Sequence, residues 1–469
     1  MFRMKKAILA LTLSAALLLE PAAATMTMAA EQEDAVEEVM DEVTEVMEVA
    51  QEATSMDLPE ESEEPEEPEK PEVNPPLAAT AVKTAGQSNT KVKISWKGAE
   101  NATYYMIYRK KGDGSYSCID KKVTGTSYTD SAIKYGYSYT YKIVSYYSDD
   151  TQTLKGGSVT KAYKNKKIVS QSDSKYSYGD MKTDILELCE KYDGMVTYEV
   201  IGKSVDKRNI YDVILGNPKA KKSMLVIGTQ HAREYMATVV IMNQLEAYLQ
   251  AYNGKVNDTS VSKTLDHICI HFVPMSNPDG VTISQYGISK INNKTLRANL
   301  KKITKGKSTR TWKANARGVD LNRNWGYKWK KQGKKSASGY SGPSVHSEPE
   351  TKALVKLKKE LKADGTLKGI VNYHTMGNIV FGKCTKKSIK DRTTKMYKLA
   401  KGMTKYGCGD TLYGGTGIGN SREYDMYTLG VASITLEVGR KAAPGPISEF
   451  KAIFKKNKNL VIREAMILD

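Results

Sequence analysis

Cysteine is scarce in this chain. Five residues in 469 (Cys118, Cys189, Cys269, Cys384 and Cys408), odd in number and widely spaced, argue against a disulfide framework and against a CxxC metal site. Cys384 and Cys408 alone stand as a candidate pair; the others read as small buried apolar residues. Long apolar runs are also lacking. The longest, Ala7 to Leu19, falls short of the ~20 residues that a spanning helix needs, which argues against stable membrane insertion. Arg3, Lys5 and Lys6 precede it and the small-residue stretch Pro21 to Ala30 follows, the layout of a secretory signal. Residues 1–30 are therefore expected to direct export, to the medium or the cell wall.

Acidic residues are few over most of the chain and crowded in one part of it. Residues 31–76 hold nineteen Asp or Glu against one Lys, whereas residues 77–469 carry a net charge of +34 within a total of +18. The acidic part opens with Val36, Val39, Val43, Val46 and Ala50 at helical spacing and continues as PEESEEPEEPEKPEVNPP. Such a segment cannot bury a core, so it reads as an extended linker with a short helix at most. It is also a candidate internal mask for the basic remainder. The basic excess suits a polyanion such as a cell-wall polymer, and an exported chain gives little reason to expect nucleic acid.

From 77 to 166 the pattern is strict alternation: Val92, Ile94, Trp96; Tyr105, Ile107; Tyr137, Tyr139, Tyr141, Ile143. Alternation of this kind describes half-buried strands of an all-β sandwich. The Trp96, YMIYRK and YGYSYTYKIVSY strands resemble a fibronectin type III module, which implies a spacer or binding role. From 172 to 469, apolar runs such as SMLVIG, ICIHFVPM, GIVNYH and ASITLEVG alternate with helical stretches. That rhythm predicts an α/β unit, a mixed and mostly parallel sheet with helices on both faces.

Open sheets of this kind bind ligands beyond the carboxyl ends of their strands. The first such end is SMLVIG running into His231, Ala232, Arg233 and Glu234, where an imidazole and a carboxylate three residues apart can face one ion. The second is GIVNYHTMG, where His374 closes an apolar strand before a glycine turn. In ASITLEVG, Glu437 stands on the face opposite Ile434, Leu436 and Val438, a costly place for a carboxylate without a cation or a reaction to use it. The fourth is WKANARGVDLNRNW, in which Asn322 and Arg323 can grip a carboxylate in a planar, bidentate way. His267 and His271, on a strand with no turn or carboxylate following, read as structural, and His346 receives no role.

HxxE, NPDG (Asn277 to Gly280), GVDLNRN, YSGPSVHSEPET, the distant His374 and the LE strand occur in the order seen in zinc carboxypeptidases of the carboxypeptidase A type, and the resemblance covers roughly residues 172–469. It implies one zinc ion held by His231, Glu234 and His374, Glu437 as general base and acid, Asn322 and Arg323 on the substrate's terminal carboxylate, and Arg233 as a further substrate contact. Two positions depart from the family pattern. Lys313 follows Trp312 where an oxyanion-stabilising arginine is expected, so either Lys313 or Arg317 supplies that charge. The mobile tyrosine of the family does not align, though Tyr413 lies near. Arg422 falls at the side-chain specificity position, which would favour an acidic substrate residue. Three functions compete: a secreted zinc carboxypeptidase acting on peptides, a hydrolase cutting peptidoglycan stem peptides at a γ-D-glutamyl to diamino-acid bond, and a non-catalytic wall-binding protein.

Overall fold

The structure is a computed structural model that describes residues 73–88, 90–412 and 418–469. The expected signal, the acidic segment as far as residue 72 and Tyr413 lie outside the described residues.

Strict alternation folds as expected. Strands β1 (Thr80–Ser88), β2 (Lys91–Lys97), β3 (Tyr104–Lys111), β4 (Ser117–Val123), β5 (Ser127–Asp130), β6 (Tyr137–Ser148) and β7 (Thr153–Asn165) form two antiparallel sheets, ordered β1-β2-β5 and β4-β3-β6-β7. Val92, Ile94 and Trp96 from one sheet meet Tyr105, Ile107, Tyr139, Tyr141 and Ile143 from the other in a single core. One carboxylate is satisfied inside that core, since burying it alone would be costly. Asp130, buried, accepts from Arg109 at 2.8 Å and from the Tyr141 hydroxyl at 2.7 Å.

The larger sheet is built from β8 (Val196–Lys203), β9 (Asn209–Leu215), β10 (Lys222–Gly228), β13 (Ile268–Val273), β14 (Leu367–His374), β15 (Ile379–Phe381), β16 (Gly407–Cys408) and β17 (Ala432–Glu437), in the order β16-β15-β17-β14-β10-β13-β9-β8. A small separate ribbon joins β11 (Lys255–Val256) to β12 (Thr259–Ser260). The four central strands β13, β10, β14 and β17 are mutually parallel, and the pairs β9–β13, β8–β9 and β15–β17 are antiparallel. Continuous apolar runs suit these central strands because both of their faces are covered. On one face lie α1 (Tyr178–Lys191), α2 (Met236–Gln250), α4 (Lys387–Thr404), α5 (Phe450–Asn457) and α6 (Leu460–Leu468), which pack through the main core. On the other, α3 (Pro349–Ala363) presses Leu354 and Leu357 against Leu225, Ile227 and Ile370. Among the described residues no helix is long and apolar enough to cross a membrane. All five cysteines are free thiols, so Cys384 and Cys408 are not joined.

One buried carboxyl within this core sets a pH dependence. Glu464 on α6 is fully buried and both of its carboxyl oxygens lack a hydrogen-bond partner among the described residues. Burial pushes its pKa well above the ordinary range. The folded state therefore holds a proton that the unfolded chain releases near pH ~4.3. Its contribution is complete below that pH and is lost at about 1.4 kcal/mol per pH unit as pH climbs toward the folded value. Glu464→Gln, the isostere of the neutral form, is expected to raise the melting temperature more at pH 8 than at pH 5. Equal gains at the two pH values would show that Glu464 does not titrate on unfolding.

Candidate metal and catalytic site

Three strand ends on one edge of the sheet build the site. β10, β14 and β17 run parallel, so their carboxyl ends face the same way. Gly228 ends β10 where a Cβ would meet the Pro274 carbonyl at 2.6 Å, and Thr229 then turns the chain with φ +52°, a conformation rare for a β-branched residue. The Thr229 hydroxyl shares a hydrogen bond of 2.8 Å with Thr238, which helps to hold the turn. The HxxE segment follows as a tight turn closed by the Glu234 N–H on the His231 carbonyl, ahead of α2. Asn277 of NPDG anchors this turn, donating to the Gln230 and Ala314 carbonyls at 3.0 and 3.3 Å. The NPDG motif is thus a brace between the HxxE loop and the WKANARG segment.

The donor atoms converge. His231 Nδ1 lies 2.9 Å from Glu234 Oε1, His374 Nδ1 lies 3.0 Å from Glu234 Oε2, and the two Nδ1 atoms are 3.0 Å apart. All three side chains are buried, and their ligand atoms lie within 4.8 Å of one another. These separations approach the ~3.3 Å edges of a tetrahedron whose ligands stand ~2.0–2.1 Å from zinc. Two imidazoles and one carboxylate are also a donor set of the catalytic zinc kind. Among the described residues this is the sole cluster of His, Cys, Asp or Glu that could hold a metal ion.

Electrostatics agree with that use. Burial alone would raise the Glu234 carboxyl, yet the charges and hydrogen bonds of His231 and His374 hold it below the usual carboxylate range. Burial lowers the His374 imidazole, favouring the neutral form that ligates metals. Asp320 of GVDLNRN accepts from the other ring nitrogen of His231, Nε2, at 3.2 Å, which leaves Nδ1 to face the donors of Glu234 and His374. Such outer carboxylates orient a metal-binding imidazole and raise its basicity. Sequence reasoning missed Asp320, because nothing in the motif reveals a partner that lies 89 residues away. Asp320→Ala is expected to weaken zinc binding about 10–100-fold in a competitive chelator titration while the fold persists. Unchanged affinity would remove its role.

Glu437 ends β17 directly beside His374, since the register pairs those two residues. It is half-buried. Burial, and then the charge of Glu234, push its carboxyl well above the ordinary range, with Lys313 opposing. Lys313 therefore stands within electrostatic reach of both Glu437 and His374, and its Nζ lies 3.9 Å from Asp320 Oδ2. Arg317 instead faces Glu348 at 3.7 Å, so of the two candidate cations it is Lys313 that reaches the site. Asn322 and Arg323 sit on a short 3-10 turn capped by Asp320. The Asn322 Oδ1 accepts from the Ser421 N–H at 2.9 Å, and Arg323 Nη1 donates to the Asn322 carbonyl at 2.8 Å. Arg233 donates weakly to the Thr311 carbonyl at 3.4 Å.

Arg422 is held by the chain's own acidic side chains. It is buried, with Nη1 3.0 Å from Asp410 and Nη2 3.0 Å from Glu423. A guanidinium taken out of water needs compensating charge, and these two carboxylates supply it. The position expected to set specificity thus carries an arginine whose charge is offset by two carboxylates of the chain itself. Of the histidines set aside, His271 pairs with Asp212 at 2.7 Å, exposed His267 with Asp469 at 3.2 Å, and His346 packs edge-on against Trp325 and Tyr424.

A parallel sheet whose strand ends bring two imidazoles and a carboxylate together, with a second carboxylate alongside, is the arrangement of a metal-dependent hydrolase. Comparison with known families agrees: the model for zinc carboxypeptidases matches residues 181–459, more than half of the chain, and the protein belongs to that family. Among curated proteins it is 24% identical over 291 residues to gamma-D-glutamyl-L-diamino acid endopeptidase 1 of Lysinibacillus sphaericus, covering 60% of this chain and 70% of that protein. It is 28% identical over 214 residues to metallocarboxypeptidase A of Trichophyton rubrum, covering 44% of this chain and 46% of that one. The chain thus spans about half the length of this carboxypeptidase relative. A crystal structure of thrombin-activatable fibrinolysis inhibitor superposes with a TM-score of 0.50 at 20% identity, covering 64% of this chain and 77% of that chain, which shows the carboxypeptidase-like fold.

Proposed function

We propose that the protein is an exported, single-zinc carboxypeptidase in which His231, Glu234 and His374 hold the metal and Glu437 is the general base. The observation that carries this reading is the convergence of those three donors at one sheet edge with Glu437 in register beside His374. Zinc, when bound, supplies a Lewis acid that polarises a peptide carbonyl and acidifies a water. Glu437 takes the proton of the attacking water and returns it to the leaving amine. Lys313 offers positive charge to the developing oxyanion. Asn322 and Arg323 grip the terminal carboxylate of the substrate, and Arg233 contacts the chain further back. Export rests on the sequence of residues 1–30 and the three-plus-four strand sandwich supports a fibronectin III-like spacer or wall-binding module between 77 and 166, with residues 172–469 as the catalytic domain. A cell-wall polyanion is the partner that the basic excess favours.

A second reading is favoured by the endopeptidase of Lysinibacillus sphaericus: the same site would cut a stem peptide before its diamino acid. One experiment decides both. Protein freed of metal and refilled with one equivalent of zinc is incubated with blocked dipeptides and with a γ-D-glutamyl-diamino-acid peptide, and the products are weighed. Release of single C-terminal residues supports the first reading, and cleavage confined to the γ-glutamyl bond supports the second. Zinc uptake with no cleavage of either would leave a wall-binding protein.

A further inference from the structure

Lys358 is placed where a lysine is least expected. It lies mid-way along α3 on the face that packs against the sheet, and its side chain is wholly buried among Trp325, Leu354 and Leu357. Its ammonium is nonetheless fully engaged: Nζ stands 2.6 Å from Asp425 Oδ1, 2.9 Å from Ser421 Oγ and 4.0 Å from the centre of the Trp325 ring. An ion pair so deep is costly to bury and contributes little net stability over an apolar replacement, so its persistence points to what it holds in place.

What it holds are the segments that carry His231, His374 and Glu437. Asp425 Oδ2 accepts from Asn372 at 3.3 Å and from Ser433 at 3.0 Å, residues that precede His374 on β14 and Glu437 on β17. Asn372 Oδ1 in turn accepts from Ser421 Oγ at 3.1 Å and from Gln230 Nε2 at 3.3 Å, and Gln230 adjoins His231. Trp325 closes the ring by donating to Gln230 Oε1 at 3.1 Å. One branch leaves this network toward the substrate. Ser421, fixed by Lys358 through its hydroxyl, donates its backbone N–H to Asn322 Oδ1 at 2.9 Å. An amide whose oxygen is tied in this way has its NH2 group on the other side, in a fixed orientation.

We propose that the buried Lys358–Asp425 pair is a positioning device for carboxylate recognition, acting through Ser421 to set the orientation of the Asn322 amide. This rests on the functional reading above and deepens it. Neither residue touches substrate in this scheme; the pair acts on the grip for the terminal carboxylate, and leaves the chemistry of Glu437 in place.

The test compares substrates and ligands that differ only in that group. Lys358→Met alone strands the Asp425 charge and is expected to destabilise the fold, so Lys358→Met combined with Asp425→Asn, which removes both charges and keeps an amide to bond Asn372 or Ser433, is the informative variant. In the zinc-loaded protein this double variant is expected to raise KM for a blocked dipeptide with a free terminal carboxylate about 10-fold, with kcat changed less than 3-fold. Hydrolysis of the C-terminal amide analogue is expected to be unchanged. Calorimetry with an N-acetyl amino acid should show the same ~10-fold loss of affinity, and none for its amide, which gives a readout free of turnover. A loss of free-acid preference in a variant that melts as a folded protein supports the device. Wild-type preference retained by that variant overturns it, as does an equal loss for acid and amide. A wild-type protein that distinguishes neither substrates nor ligands overturns both this inference and the carboxypeptidase reading on which it rests.

Discussion

Glu437→Gln is expected to lower kcat by about 10²–10⁴-fold, the usual worth of a positioned general acid–base group, while zinc content stays at its wild-type level. The reasoning is geometric. Glu437 shares a strand register with His374 but is not one of the three converging donors, so an amide in its place removes proton transfer and leaves the ligand set intact. Metal analysis alongside pre-steady-state turnover checks both halves of the expectation. If the variant loses its zinc together with its activity, Glu437 is a fourth ligand, and the proton must be carried by another group.

His374→Ala is expected to have the larger effect. Only two of the three convergent donors would remain, and a two-ligand site does not hold zinc against dialysis. Turnover should then fall toward the uncatalysed rate, a loss on the order of 10⁶-fold or more. Added zinc should restore a chelator-stripped wild-type protein and fail to restore the variant. Recovery of the variant by micromolar zinc would mean that the ion is held chiefly by His231, Glu234 and a neighbour such as Asp320.

The site's principal atoms were legible because each ends an apolar run. His231, His374 and Glu437 interrupt or close stretches that otherwise read as buried strand, and a polar group in such a place advertises itself. The parallel centre of the sheet and the two-sheet sandwich were legible for a similar reason, since continuous and alternating apolar patterns separate strands covered on both faces from strands covered on one. What the sequence hid were pairings. Arg422 gave no sign of Asp410 and Glu423, which become its partners only when the chain folds. Lys358 was hidden in another way: in KALVKLKKELK it stands four residues after Leu354 and three before Leu361, on the apolar stripe, but nothing in the sequence names Asp425 as its partner. Asp320 reads as one more loop residue until His231 is brought to it.

The donors proposed for the metal come from the ends of β10 and β14, neighbours in the sheet but separated by the long stretch of chain between His231 and His374. An ion gripped there acts as a clasp across the middle of the domain. Whatever binds the native arrangement and not the open chain shifts the folding balance toward it, in proportion to how far the ligand exceeds its dissociation constant. Zinc supply would thus govern survival as well as turnover. In zinc-poor surroundings the same molecules would be both idle and more readily degraded, so the amount of enzyme present would follow the metal.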